Sequence, residues 1–93
     1  MEIYTPALKQ AEKLGDKRGM GYSLNNIGVV YKSKGDYGTA LDYLERSLAI
    51  LEELGDKYGM GNSLNNIGIV YYNKGDYDIA LDYLESSLAI AED

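Results

Sequence analysis

Residues 14–53 laid over residues 54–93, with no gap, agree at thirty of forty positions. Leu14-Gly15-Asp16-Lys17 returns as Leu54-Gly55-Asp56-Lys57, Ser23 to Gly28 (SLNNIG) as Ser63 to Gly68, and Lys34-Gly35-Asp36-Tyr37 as Lys74-Gly75-Asp76-Tyr77. Residues 1–13 match the back end of the same unit more loosely, with Leu8 over Leu48 and Glu12 over Glu52. A fixed period of this length limits the chain to a repeat architecture, in which a unit buries its apolar face only by stacking on its neighbours. The organisation that follows is one domain over 1–93: a half repeat over 1–14, a first unit over 15–53 and a second over 54–93.

Inside one unit the apolar spacing is helical. Met20, Leu24, Ile27, Gly28 and Tyr31 form one stripe of a helix from about 17 to 33. Gly35 can take the left-handed conformation past that helix, and Asp36 can cap the next. A second helix, about 37–53, carries Ala40, Leu41, Tyr43, Leu44, Leu48, Ile50 and Leu51. So wide an apolar arc predicts cover from two sides, by the helix's own partner and by the first helix of the following unit. No alternating strand pattern occurs, so the expected fold is all-α with about five helices.

Composition narrows the function. The 93 residues are 45% hydrophobic and 26% charged, which suits one small globular domain, and every aromatic residue is a tyrosine. The chain has no cysteine and no histidine, which removes disulfides, thiol chemistry, Cys/His zinc sites and the commonest neutral-pH general base. A net charge of -6 argues against nucleic acid, which requires a basic footprint. No apolar run approaches the ~20 residues of a membrane span. The opening Met1-Glu2-Ile3-Tyr4-Thr5 lacks the pattern of a signal peptide, so a cytoplasmic location is expected. Gly15 to Gly21 (GDKRGMG) lacks the Gly-Lys-Ser/Thr ending of a phosphate loop and reads as a helix-to-helix turn. Asp76-Tyr77-Asp78 with Asp82 and Glu85 lacks the central glycine of a calcium loop and reads as a cap and a solvated face. No nucleophile–base pair can be assembled. Neither catalysis, a metal nor another cofactor is expected.

Leu24, Ile27, Gly28, Tyr31, Gly35, Asp36, Tyr37, Ala40 and Leu44, repeated as Leu64, Ile67, Gly68, Tyr71, Gly75, Asp76, Tyr77, Ala80 and Leu84, resemble the tetratricopeptide repeat. The 40-residue length and the LNN-I-G core are similar to the longer-helix variant of kinesin light chains and Leu-Gly-Asn repeat proteins. The resemblance implies a right-handed superhelical α-solenoid of antiparallel helix pairs. Ser47 and Ser87 stand where the family has a small alanine, a mild packing change, and the proline that commonly closes a unit is absent. Gly28 and Ala40 are small so that paired helices approach closely, with Tyr31 filling the wedge beside them.

The resemblance also implies that first helices line a concave groove and second helices form the outside. The first helices carry only positive charge, at Lys17, Arg18, Lys32 and Lys34 and then Lys57 and Lys74, whereas the second are acidic, through Asp42, Glu45, Glu52 and Glu53 against Arg46 and then Asp78, Asp82, Glu85, Glu92 and Asp93. A groove of this charge suits an extended or helical peptide of some acidic character, so a protein or peptide partner is expected. By carry-over its lining is Tyr22, Asn25, Val29, Lys32 and Ser33, then Asn62, Asn65, Ile69, Tyr72 and Asn73. Asn26 and Asn66 match the asparagine that family members use to hold a ligand's backbone, a carboxamide being both donor and acceptor. These asparagines could equally bridge neighbouring helices.

The ends carry a separate expectation. Residues 77–93 keep the apolar set Ala80, Leu81, Tyr83, Leu84, Leu88, Ile90 and Ala91, with no following helix to cover it. The front helix over 1–14, with Thr5 and Pro6 as its cap and first residue, adds Tyr4 and Leu8. Both ends then expose apolar surface, which predicts a homodimer formed by end-to-end stacking or exchange of helices, through Leu81, Leu84, Leu88, Ala91, Tyr4 and Leu8. Without a closing proline, Leu51 to Lys57 could straighten into one helix and ease such exchange. A peptide-binding scaffold is thus the leading reading. A self-assembling or engineered repeat with no dedicated ligand, and a regulatory part of a larger protein, are the others.

Overall fold

The structure, a computed structural model, describes residues 15–92, with the Glu92 side chain excepted. Four helices fill them: α1 (Lys17–Ser33), α2 (Tyr37–Leu54), α3 (Lys57–Lys74) and α4 (Tyr77–Glu92). No strand occurs among the described residues. The expected front helix, with its Thr5–Pro6 start and the association residues Tyr4 and Leu8, lies outside them, as does Asp93.

The helix boundaries follow from the Gly-Asp pairs. Gly55 and Gly75 end α2 and α3 at φ 68° and 88°, a left-handed conformation that costs any residue with a Cβ about 1–2 kcal/mol. The amide of Asp56 then reaches back to the Leu51 carbonyl at 3.0 Å, and that of Asp76 to Tyr71 at 2.9 Å, so carbonyls orphaned at the helix ends find donors. The same aspartates start the next helix: Asp16 accepts from the Gly19 amide at 2.9 Å and Asp56 from the Gly59 amide at 3.1 Å. Gly55 therefore breaks the chain between Leu51 and Lys57 in this conformation, and the helix there does not run on. Only two or three residues join each helix to the next.

Packing runs as a zigzag, α1 on α2, α2 on α3 and α3 on α4. The core holds Ala40, Leu41 and Leu44 of α2 against Ile67 and Val70 of α3. Glycine sets the spacing within a pair: a methyl group on Gly28 would lie 2.6 Å from Leu44 Cγ, and one on Gly68 2.8 Å from Leu84 Cγ. Tyr31 stacks on Tyr43 and Tyr71 on Tyr83, each with ring centroids 5.7 Å apart, closing the open side of each pair. Beyond the zigzag, α1 also touches α3, whereas α2 and α4 make no contact among the described residues. The stack is thus tighter along its first helices than along its second, and curves toward them.

Candidate functional site

Two surfaces stand out: the faces of α1 and α3 that turn inward on the curve, and the end of the stack beyond α4. Between the units themselves lies a polar bridge that determines which side chains are free to serve either surface.

The bridge is built on Ser47, fully buried in α2. Its hydroxyl donates to the Gly21 carbonyl of α1 at 2.6 Å and lies 3.1 Å from the buried Ser63 hydroxyl of α3. Ser63 is also 3.3 Å from Asn25 Oδ1, and Asn66 Nδ2 donates to the same oxygen at 3.2 Å. Each hydroxyl has one proton, and that of Ser47 goes to Gly21, so Ser63 has a single proton to divide between Ser47 and Asn25. Three helices are tied by this cluster, and none of its side chains is left unsatisfied. In the sequence Ser47 reads as a mild packing change. The signal for its larger role is the recurrence of a hydroxyl at both Ser23/Ser63 and Ser47/Ser87.

A second tie sits at the start of α3. The Tyr22 hydroxyl donates to Asp56 Oδ2 at 2.7 Å, and Arg18 Nε lies 3.4 Å from the same oxygen. The hydrogen bond from Tyr22, then that from the Gly59 amide and the Arg18 charge, hold the Asp56 carboxyl below the usual carboxylate range against the opposing effect of burial. The same bond, followed by burial, raises the Tyr22 phenol, whose ionisation would discard its donor proton. Farther out, burial is the main cause that raises the Tyr71 phenol.

These ties sort the groove residues expected from the sequence. Tyr22, Asn25 and Asn66 hold the two units together, so for this asparagine pair the bridging role is the one observed. Asn26, Asn62, Asn65, Tyr72 and Asn73 are exposed, and Val29, Lys32 and Ile69 half-buried. Charge is more spent than the sequence suggests: Lys17 pairs with Glu53 at 2.6 Å and Arg18 with Asp56, while Lys34 and Lys74 lie over the rings of Tyr31 and Tyr71. Lys32 has no ion-pair partner among the described residues. The five positions at which α1 and α3 differ, Arg18/Tyr58, Tyr22/Asn62, Val29/Ile69, Lys32/Tyr72 and Ser33/Asn73, fall on one stripe at helical spacing.

At the end of the stack, Leu81 and Leu88 are 55% and 59% exposed, Leu84 is half-buried and Ala91 exposed. A cleft of about 450 Å³ opens beside them between α3 and α4, with Gly61, Asn62, Asn65, Ser87, Ile90 and Ala91 on its walls. No cluster of three or more metal-ligating side chains occurs among the described residues, and no described helix is long and apolar enough to cross a membrane.

The profile of the tetratricopeptide repeat matches residues 2–53 and again residues 19–93. No curated protein gives a significant match to the chain.

Proposed function

Since the chain belongs to the tetratricopeptide repeat family, a non-catalytic scaffold whose repeats mediate contacts between proteins, we propose that it binds an extended or helical peptide along the inner faces of α1 and α3. The observation that carries this reading is the stripe of five differences. Arg18 and Tyr22 in that stripe are tied to Asp56, and its remaining positions give each unit its own set: Val29, Lys32 and Ser33 in one, Ile69, Tyr72 and Asn73 in the other. Exposed carboxamides at Asn26, Asn62 and Asn65 add donors and acceptors for a ligand backbone, and Lys32, which has no ion-pair partner among the described residues, favours an acidic residue opposite it. The 40-residue unit supports grouping the chain with the longer-helix variant seen in kinesin light chains.

Selection from a displayed peptide library tests the groove. Enriched peptides should carry Asp or Glu and lose most of their affinity for a Asn26→Ala, Lys32→Ala, Asn73→Ala triple variant whose helicity and Tm are unchanged. Peptides that bind this variant as well as the parent chain would refute the groove.

The exposure of Leu81 and Leu88 favours a second reading, association through the end of the stack, with a homodimer as its simplest form in pure protein. Leu81, Leu84, Leu88 and Ala91 are the residues proposed to carry it. A chain-mass monomer by sedimentation at millimolar concentration would remove that form.

A further inference from the structure

The two units stack the same pair of rings but cover them differently. In the first, Lys34 Nζ stands 5.7 Å over Tyr31 and Arg46 Cζ 5.3 Å over Tyr43, so each ring of the stacked pair carries a cation. Arg46 is also held by its own helix, its Nη1 lying 3.8 Å from Asp42 Oδ2 one turn back in α2. In the second unit Tyr71 and Tyr83 stack at the same distance, and Lys74 Nζ stands 5.3 Å over Tyr71. No cation lies over Tyr83 among the described residues. The half-buried ring and the exposed Asp82 are in place, matching Tyr43 and Asp42. What is missing is the arginine. Ser86 replaces it, and its hydroxyl donates to the Asp82 carbonyl of its own helix at 3.0 Å.

We propose that Tyr83 and Asp82 take up an arginine side chain presented by a partner protein, in the place that Arg46 fills in the first unit. The chain's own α2 supplies the template. A planar guanidinium can face the negative π surface of the ring and turn an N–H to the carboxylate, which a lysine ammonium, more compact and more strongly hydrated, does less well. Lys74 does not exclude a second cation, because Lys34 and Arg46 share one stack in the first unit. The local field is favourable as well. Burial leads the causes that raise the Tyr71 phenol, but the Glu45 and Asp76 charges add to it, so negative charge reaches this stack from α2 and from the turn before α4.

The place is open because of a substitution and not because of its position in the stack. In the first unit, with a further unit packed on it, the Arg46 and Asp42 side chains are still 54% and 68% exposed, so a following unit leaves this flank of a second helix uncovered. It lies on α4, away from the inner faces of α1 and α3, and does not rest on the groove. An exposed cation–ring contact changes affinity about two- to fivefold. One arginine therefore selects among basic segments that other contacts bring to the surface.

NMR titration of the full chain with N-acetylarginine amide tests it. Shifts should concentrate at the Tyr83 ring protons and the Asp82 and Ser86 amides, be smaller with the lysine analogue at equal concentration, and vanish with the uncharged citrulline analogue. Ser86→Arg should abolish the response by filling the place from within. Ala49→Arg, which adds the same charge at an exposed position of α2, should leave it intact. Arg46→Ser should open a second responding site at Tyr43. Shifts spread evenly over the acidic surface, an equal response to the lysine analogue, or an unchanged response in Ser86→Arg overturns the proposal. Shifts at Tyr83 that grow with chain concentration alone make the arginine of a second copy the occupant and overturn it as well.

Discussion

Leu51 and Ala91 occupy the same place in two units that are otherwise nearly alike, and their surroundings differ almost completely. Around Leu51 three helices converge, Leu41 is 8% exposed and no buried polar side chain among the described residues is left without a partner. Around Ala91 two helices meet, Leu81 is 55% exposed and Asn65 has no partner among the described residues. The same residues thus make a core in one unit and a surface in the other. In a stacked repeat, burial is a property of position in the array and not of the unit's own sequence.

Paired substitutions test how deep that difference runs. The largest effect belongs to this position: Leu51→Ala should destabilise the chain by about 2–5 kcal/mol through lost burial and a cavity between Gly21 and Gly59, while Ala91→Leu should leave Tm unchanged or raise it. Equal losses in thermal or urea unfolding would erase the distinction. Next is a pair of opposite sign. Gly21→Ala should cost about 1 kcal/mol net, overpacking against Leu51 outweighing helix propensity, whereas Gly61→Ala should stabilise by up to ~1 kcal/mol. Denaturant midpoints moving the same way in both variants would show that the end face is as tightly filled as the interior. Ser47→Ala should cost about 1 kcal/mol by breaking the link among three helices, against a few tenths for Ser87→Ala.

The smallest effect depends on pH. Because the folded Asp56 carboxyl titrates below its unfolded value, its contribution is complete above the ordinary carboxylate pKa and is lost as pH falls through the depressed folded one. Tyr22→Phe removes the main cause of that depression, so its Tm should fall less between pH 5 and pH 2 than that of the parent chain. Parallel Tm profiles would mean that the Tyr22–Asp56 tie is not felt in solution.

Much of the fold was legible because it is written in local signals. Gly-Asp pairs set helix ends within a residue, α2 reaching Leu54 where the spacing predicts about 53, and Gly28 with Ala40 marks the close approach within a pair. The division of labour among the asparagines was not legible. Asn25 and Asn66 meet because adjacent units are offset along their axes, and no periodicity within one unit contains that offset. Ser47 reads as a mild packing change for the same reason, since a lone small residue shows its role only when Ser63 arrives from the next unit. The charges of Lys17 and Arg18 likewise read as groove charges until Glu53 and Asp56 were found beside them.

The two- and three-residue turns have a consequence for how the chain reaches this structure. Each helix is tethered to the helix it packs against most, so nearly all of the topology is assembled from partners close in sequence, and little loop entropy precedes the first favourable contact. Near-identical segments would otherwise invite mispairing, for α1 and α3 offer much the same apolar stripe to α2. A three-residue tether before α2 and a two-residue tether after it give each of them its own place against α2, which lets a chain of nearly duplicate pieces fold rapidly into one arrangement.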